Sequence, residues 1–429
     1  MFTDHPSNWL AIALYLPALT FATLFLSQSK FVVKTVVLIS FVKISLILIN
    51  AYFYQFFSFD ADFYTLNSRA QALAALPLWD MLKELPEATG RYFFSFLMAL
   101  LYRAVGEAYL FILFSNVFLT AVVAVCTYDA ALSVTGSKRV ARAVLLLTAF
   151  FPMYFIYCLT PSREPLVEAA FAVALKYFCY WSRDSRAARI PLIIAGLVIA
   201  SAIHSAMAIA MLFILGCMAA IVLRRSRKSG ANRTRLVISG FVLLLVATMV
   251  MPPVILSGWA LKKFGGDIGG VADAENFEKY ADRNDGDART GYTKDASGTE
   301  FSSFSGMAKE LPMRLVYFAT KPWPWNISSP FDLIAIYINI FLVLTLFYAA
   351  FKRSELGSFP PSKYVALCVL LLSVVFALGT ANWGTGTRHK TKFFPALAII
   401  TAVYLANRRN AGGVGDSMDL PSNRALGNS

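Results

Sequence analysis

The chain has 429 residues, 58% of them hydrophobic and 15% charged, with a mean hydropathy of +0.60 and a formal net charge of +14. So little charge excludes an ordinary soluble domain, which carries about 25%, and no polar block is long enough for a separate soluble core. The basic excess does not point to nucleic acid, because Lys and Arg fall in short loops between apolar stretches, as in the cytoplasmic loops of membrane proteins.

Stretches apolar enough to cross a bilayer are read at 8–26, 35–56, 108–127, 140–158, 165–182, 189–203, 204–223, 236–256, 330–351, 363–380 and 393–407. They predict an all-α polytopic membrane protein of about 11 transmembrane helices, forming a single domain over 1–409. The first stretch lacks a basic leading region and a small-residue cleavage site, so it is expected to stay in the protein as a span. Five cysteines all lie in apolar stretches without a C-x-x-C pair, and are read as packing residues. The Gly- and Ser-rich tail at 410–429 is expected to be disordered and cytoplasmic.

Basic clusters fix the expected sidedness. Lys30 and Lys34, then Lys138, Arg139 and Arg142, then Arg183, Arg186 and Arg189, the 224–235 cluster, Lys352 and Arg353, and Arg408 and Arg409 share one face if 91–106 does not cross. That segment is bracketed by Arg91 and Arg103 and is read as an interfacial helix, with a second at 66–85 broken at Pro77. The stretch 189–223 is too long for one crossing at about 1.5 Å per residue. It is read as two short helices meeting near Ser201 to Ser205, with His204 at the tip. His204 would face a cavity there or satisfy a backbone carbonyl.

Two outer loops result, at 57–107 and 257–329. The first carries Asp60 and Asp62, beside Tyr64 and Arg69, just past an apolar helix; carboxylates in that position need a function or a partner. As a D-x-D pair they offer a divalent metal only two ligands, so a metal is an option and no cofactor is required. Arg163 and Glu164 open a span, and Glu168 lies one turn inside it on the same face. Glu164 could equally favour the helix N-terminus electrostatically. Lys321, Trp323 and Trp325 precede another span, the tryptophans serving either as an interfacial belt or as a sugar-stacking surface. Arg388, His389, Lys390 and Lys392 precede the last span against the positive-inside pattern; they suit a phosphate ligand or ordinary lipid phosphate.

With these residues in view, the chain resembles the GT-C class of integral-membrane glycosyltransferases, in the branch of protein-mannosyl and lipid A aminoarabinosyl transferases. The likeness rests on DADFY opening the first outer loop, on AVLLLTAFFPMYFIYCLTPSREPLVEAAF, and on RHKTKFFPALAII, where RHK stands in place of a more usual RYR. It implies a GT-C-like fold and a sugar donor carried on a polyprenyl phosphate or pyrophosphate. The acceptor would be a glycan, lipid or protein outside the bacterial cytoplasmic membrane. By position, Asp60 or Asp62 would be the catalytic base, with Arg388, His389 and Lys390 holding the lipid phosphate. Tyr64, Arg69, Arg163, Glu164, Glu168, His204, Lys321, Trp323 and Trp325 would line the substrates. Polymerases of lipid-linked polysaccharide repeats share the layout, and a flippase or transporter of lipid-linked sugars is the alternative from another class.

Overall fold

A computed structural model describes residues 29–53, 61–85, 91–107, 109–229, 304–357, 359–380 and 382–411. The expected spans at 8–26 and 236–256, most of the 257–329 loop and most of the tail lie outside them. The described residues are helical, without strands. In chain order the helices are α1 (Lys30–Tyr52), α2 (Ala61–Ala75), α3 (Leu78–Lys83), α4 (Arg91–Val105), α5 (Tyr109–Thr135), α6 (Lys138–Ala149), α7 (Pro152–Leu159) and α8 (Glu164–Asp184). Then come α9 (Ile190–Ile203), α10 (Met207–Ser229), α11 (Phe304–Thr320), α12 (Pro330–Phe351), α13 (Arg353–Gly357), α14 (Pro360–Leu378), α15 (Trp383–Lys392) and α16 (Phe394–Ala411).

By length and composition, α1, α5, α10, α12 and α14 can each cross a membrane, and α6 with α7 makes a sixth if the bent pair is one span. This makes the chain an all-α, multi-pass membrane protein; among the described residues the count is five to six, where the sequence predicts about 11 in the whole chain. Two of the expected spans lie outside the described residues, and part of the remaining difference has local causes. The predicted span at 140–158 breaks by 40° between α6 and α7. The break falls where Pro152 restarts the helix as α7, because proline has no N–H to donate. Helix α9 has only 14 residues, and α8 carries Glu168 and Lys176 in its interior.

In helix α5, 72% of the apolar window is buried, against 28% for α12. That difference makes α5 central and α12 peripheral. Helix α8 packs on α5 and α9 and also meets α15 and α16. The α8–α9 approach is close because of Gly196: a Cβ there would stand 2.5 Å from the Ala170 carbonyl oxygen and 3.1 Å from Ala174. Gly196→Ala is therefore expected to destabilise by about 1–3 kcal/mol, the cost of overpacking. Gly216→Ala on α10 meets open space and should be neutral. Thermal melting of both variants in lipid nanodiscs checks the contrast, and equal melting temperatures would contradict the packing argument.

Several of the basic residues make contacts at one end of the bundle. Arg409 Nη1 donates to Ser137 Oγ at 3.1 Å, and the Arg142 guanidinium lies 4.8 Å from the Phe31 ring. Arg225 donates to the Ser182 carbonyl and to Ser185, and Asp184 pairs with Arg189 at 2.7 Å. Asn407 Nδ2 donates to Tyr348 Oη at 3.0 Å, and that hydroxyl donates to Glu355, also at 3.0 Å. The starts of α1, α6 and α9 thus lie with the ends of α5, α8, α10, α12 and α16. Lys176 joins this end through Asp129 of α5, at 2.7 Å.

At the opposite end, α2 and α4 form a hairpin packed on each other. The helix break falls at Pro77, as the sequence predicts. The hairpin's core joins Phe63, Leu66, Phe94 and Tyr102 to Ile44 and Ile47 of α1, to Leu110 and Leu113 of α5, and to Cys158 and Leu159 of α7. All five cysteines are buried and free.

Candidate functional site

The site end of the bundle is organised around α15, a helix the sequence shows only as a Gly- and Thr-rich basic stretch. Asn382 caps it by accepting from the Thr385 N–H at 2.8 Å. Asp332, in the first turn of α12, holds its first residue: Oδ1 accepts from Trp383 Nε1 at 3.2 Å. The other carboxylate oxygen accepts from Ser328 and Ser329. Sequence reading passed over Asp332, whose only signal was an acidic residue just behind Pro330.

Helix geometry then sorts the basic residues of α15, since neighbours on one face are three or four apart. Arg388 and Lys392, and His389 and Lys392, are so spaced, and they turn toward α8. Lys392 Nζ lies 3.6 Å from Glu164 Oε1, 2.9 Å from His389 Nδ1 and 3.4 Å from the Arg388 carbonyl. Glu164 also accepts from the Ser162 hydroxyl. The His389 ring packs on Phe376 at 4.5 Å and against His204 at 5.2 Å. His204 stands at the α9–α10 turn that the sequence predicts: it ends α9, its N–H donating to the Ala200 carbonyl, and its own carbonyl accepts from Met207.

Charge in this cluster is set by the competition between burial and pairing. Burial disfavours the Glu164 carboxylate, but Lys392, Arg163 and Arg388 outweigh it and hold the group down at about 2. Burial pulls Lys392 down to about 8, with Glu164 resisting. An ion pair with surplus positive charge from Arg163 and Arg388 results, and such a cluster suits a further anion.

Lys390 faces the other way. It is fully buried, its amine donates to Asn339 Oδ1 of α12, and it lies 5.2 Å from the Phe318 ring. Asn339 Nδ2 in turn donates to the Lys321 carbonyl at 2.7 Å. Burial alone draws Lys390 down to about 7. It ties α15 to α12 and to the end of α11, so Lys392 is the lysine beside His389.

Other expected residues are distributed around this centre. Lys321 is buried, its amine 4.4 Å from the Tyr317 ring and 5.4 Å from Trp323. Trp323 donates from Nε1 to Thr320 at 3.1 Å. It packs on Trp325 at 5.1 Å, and Trp325 is 75% exposed. Glu168 is fully buried one turn below Glu164. Tyr64 is mostly exposed, and Arg69 lies 4.1 Å over the Tyr92 ring, binding α2 to α4; both make their contacts inside the hairpin. Asp60 lies outside the described residues, as does the side chain of Asp62 in the first turn of α2.

The structure thus gathers Glu164, His204, Arg388 and His389 with Lys392, places Glu168 directly beneath, and sets Lys321 and Lys390 on the far side of α15. No family model matches the chain, nor does any curated protein or any solved structure.

Proposed function

We propose that this chain is an inverting membrane glycosyltransferase with about 11 transmembrane helices in a GT-C-like arrangement. It transfers a sugar from a polyprenyl-(pyro)phosphate carrier to an acceptor on the outer face of the bacterial cytoplasmic membrane, in cell-surface glycan or exopolysaccharide synthesis. The orientation follows from the basic end of the bundle, which the positive-inside rule assigns to the cytoplasm. One observation carries the reading: at the opposite end Lys392 pairs with the buried Glu164 carboxylate and meets His389, while Arg163 and Arg388 act on the same carboxylate, with a net positive balance. A phosphate leaving group gains charge as its bond to the anomeric carbon breaks, and fixed cations in a dry site stabilise that charge. The acceptor hydroxyl attacks the same carbon, and its proton passes to Asp60 or Asp62. The hairpin α2–α4, whose core Leu166 of α8 borders, lies beside the site.

The test is turnover by the full chain in proteoliposomes supplied with polyprenyl-phosphate-linked sugars, with released polyprenyl phosphate as the readout. Arg388→Ala is expected to slow release by about 10²–10³-fold, as for loss of one charge-stabilising donor. Monosaccharide and oligosaccharide donors separate transfer from polymerisation by product size. A transporter of the same lipid-linked sugars is the second reading, favoured by the burial of Lys43 and Glu168 inside the bundle, where ionisable residues mark transport paths; sugar movement across the bilayer without transfer would select it.

A further inference from the structure

Beneath the Glu164–Lys392 pair, the bundle interior holds a carboxylate without a hydrogen-bond partner. Glu168 is fully buried, and neither of its oxygens makes a hydrogen bond. The Tyr154 hydroxyl, on a side chain just as buried, makes none either. The hydroxyls of Tyr154 and Thr391 come near Glu168 without completing a bond, and Tyr157 Oη is 2.8 Å from Thr391 Oγ1. Three helices therefore bring unsatisfied or shared oxygens to one point: α8 the carboxylate, α7 the two phenols, and α15 the threonine.

The charged groups that face this point are already engaged. From α15, Lys392 is held by Glu164 and His389, and Arg388, with Arg163, acts on Glu164. From α1, Lys43 donates to Thr120 at 3.0 Å and lies 5.6 Å from the Tyr154 ring. An ionised carboxylate left without a partner is among the costliest groups to bury. Every remaining ligand atom at this point is oxygen, which suits a hard cation.

We propose that Glu168, with the hydroxyls of Tyr154 and Thr391, binds one small monovalent cation, a proton or a sodium ion, inside the helix bundle. The site lies one turn from the Glu164–Lys392 pair. Its occupancy removes a negative charge from beneath the anion-binding cluster, so the loaded state favours a bound phosphate and the empty state opposes it. The proposal does not depend on the transferase reading.

The test uses the full chain in nanodiscs of neutral lipid. Infrared spectra at neutral pH report a bound proton as a carboxylic-acid C=O band, expected in the wild type and lost in Glu168→Gln. Melting with sodium replacing potassium reports a sodium ion as a saturable rise in melting temperature, absent in Glu168→Gln. Either result assigns the site and names its cation. Tyr154→Phe keeps the carboxylate and should shift the band or weaken the sodium response, so the proposal remains testable if Glu168→Gln fails to fold. A wild-type protein with no acid band, melting alike in both salts, would overturn it.

Discussion

Lys392→Met is expected to cost the fold about 3–5 kcal/mol, because removing one partner of a buried ion pair strands the other. The stranded group is Glu164, whose side chain is 10% exposed; Lys392 itself is 1% exposed. Ser162 and Arg163 remain beside the carboxylate, so the cost should fall short of that for a fully isolated charge. The double variant Glu164→Gln, Lys392→Met removes both charges and should recover much of the loss, the non-additivity expected of contacting residues. Melting of the single and double variants in nanodiscs checks this. Single and double variants that melt with the wild type would mean that the pair does not hold α15 against α8.

The same pair gives a pH dependence. Lys392 has a folded value near 8, below its unfolded 10.5. Its burial as a cation therefore weighs against the fold while it is protonated, and stability from this group rises between about pH 8 and 10.5. Glu164 acts in the opposite window. Its folded value near 2 lies below the unfolded 4.5, so its contribution is present above about 4.5 and is lost as pH falls toward 2. Anion binding needs the protonated lysine. The affinity of a short-chain polyprenyl phosphate should accordingly decline as pH passes about 8, a trend that Lys392→Met abolishes and calorimetry at several pH values can follow.

What the sequence shows and what it hides divide along physical lines. The α9–α10 turn at His204 is legible because a hydrophobic run with basic residues at both ends must fold back within a fixed bilayer thickness. The common side of the basic clusters is legible for a related reason, since each apolar crossing reverses the chain. By contrast, the sequence suggests that the helix after 108 stops at 127, where polar residues begin, yet α5 runs on to Thr135. Asp129 stays in the helix because Lys176, far along the chain on α8, neutralises it; no local pattern carries that information. The stretch 383–392 has no apolar periodicity, so its helix is invisible, and with it the choice between Lys390 and Lys392. Two positions on a helix differ by about 200°, and only a known axis says which of the two meets α8. Tyr154 is hidden differently: inside a long apolar run, a single polar group reads as a tolerated exception until its neighbours are known.

Asn replacement of Asp60 or Asp62 carries the largest expected effect on activity, a loss of about 10²–10⁴-fold for whichever carboxylate takes the acceptor proton. Asp62 lies in the first turn of α2 and Asp60 immediately precedes it. The hairpin that begins there packs on the ends of α1, α5 and α7 that lie nearest Glu164, and Leu166 of α8 borders its core. The proton acceptor and the cations are thus expected at one end of the bundle, as an in-line displacement at an anomeric carbon requires. A base acts only in the chemical step, so the sensitive variant should lose kcat with KM little changed, while its neighbour loses far less. Melting temperatures should stay near wild type, since a first-turn carboxylate contributes only about 0.3–1 kcal/mol to its helix. If both single variants and the double variant turned over a polyprenyl-linked donor at the wild-type rate, no role in proton removal could be kept for this loop. The cationic cluster on α15 would then have to be explained by binding alone.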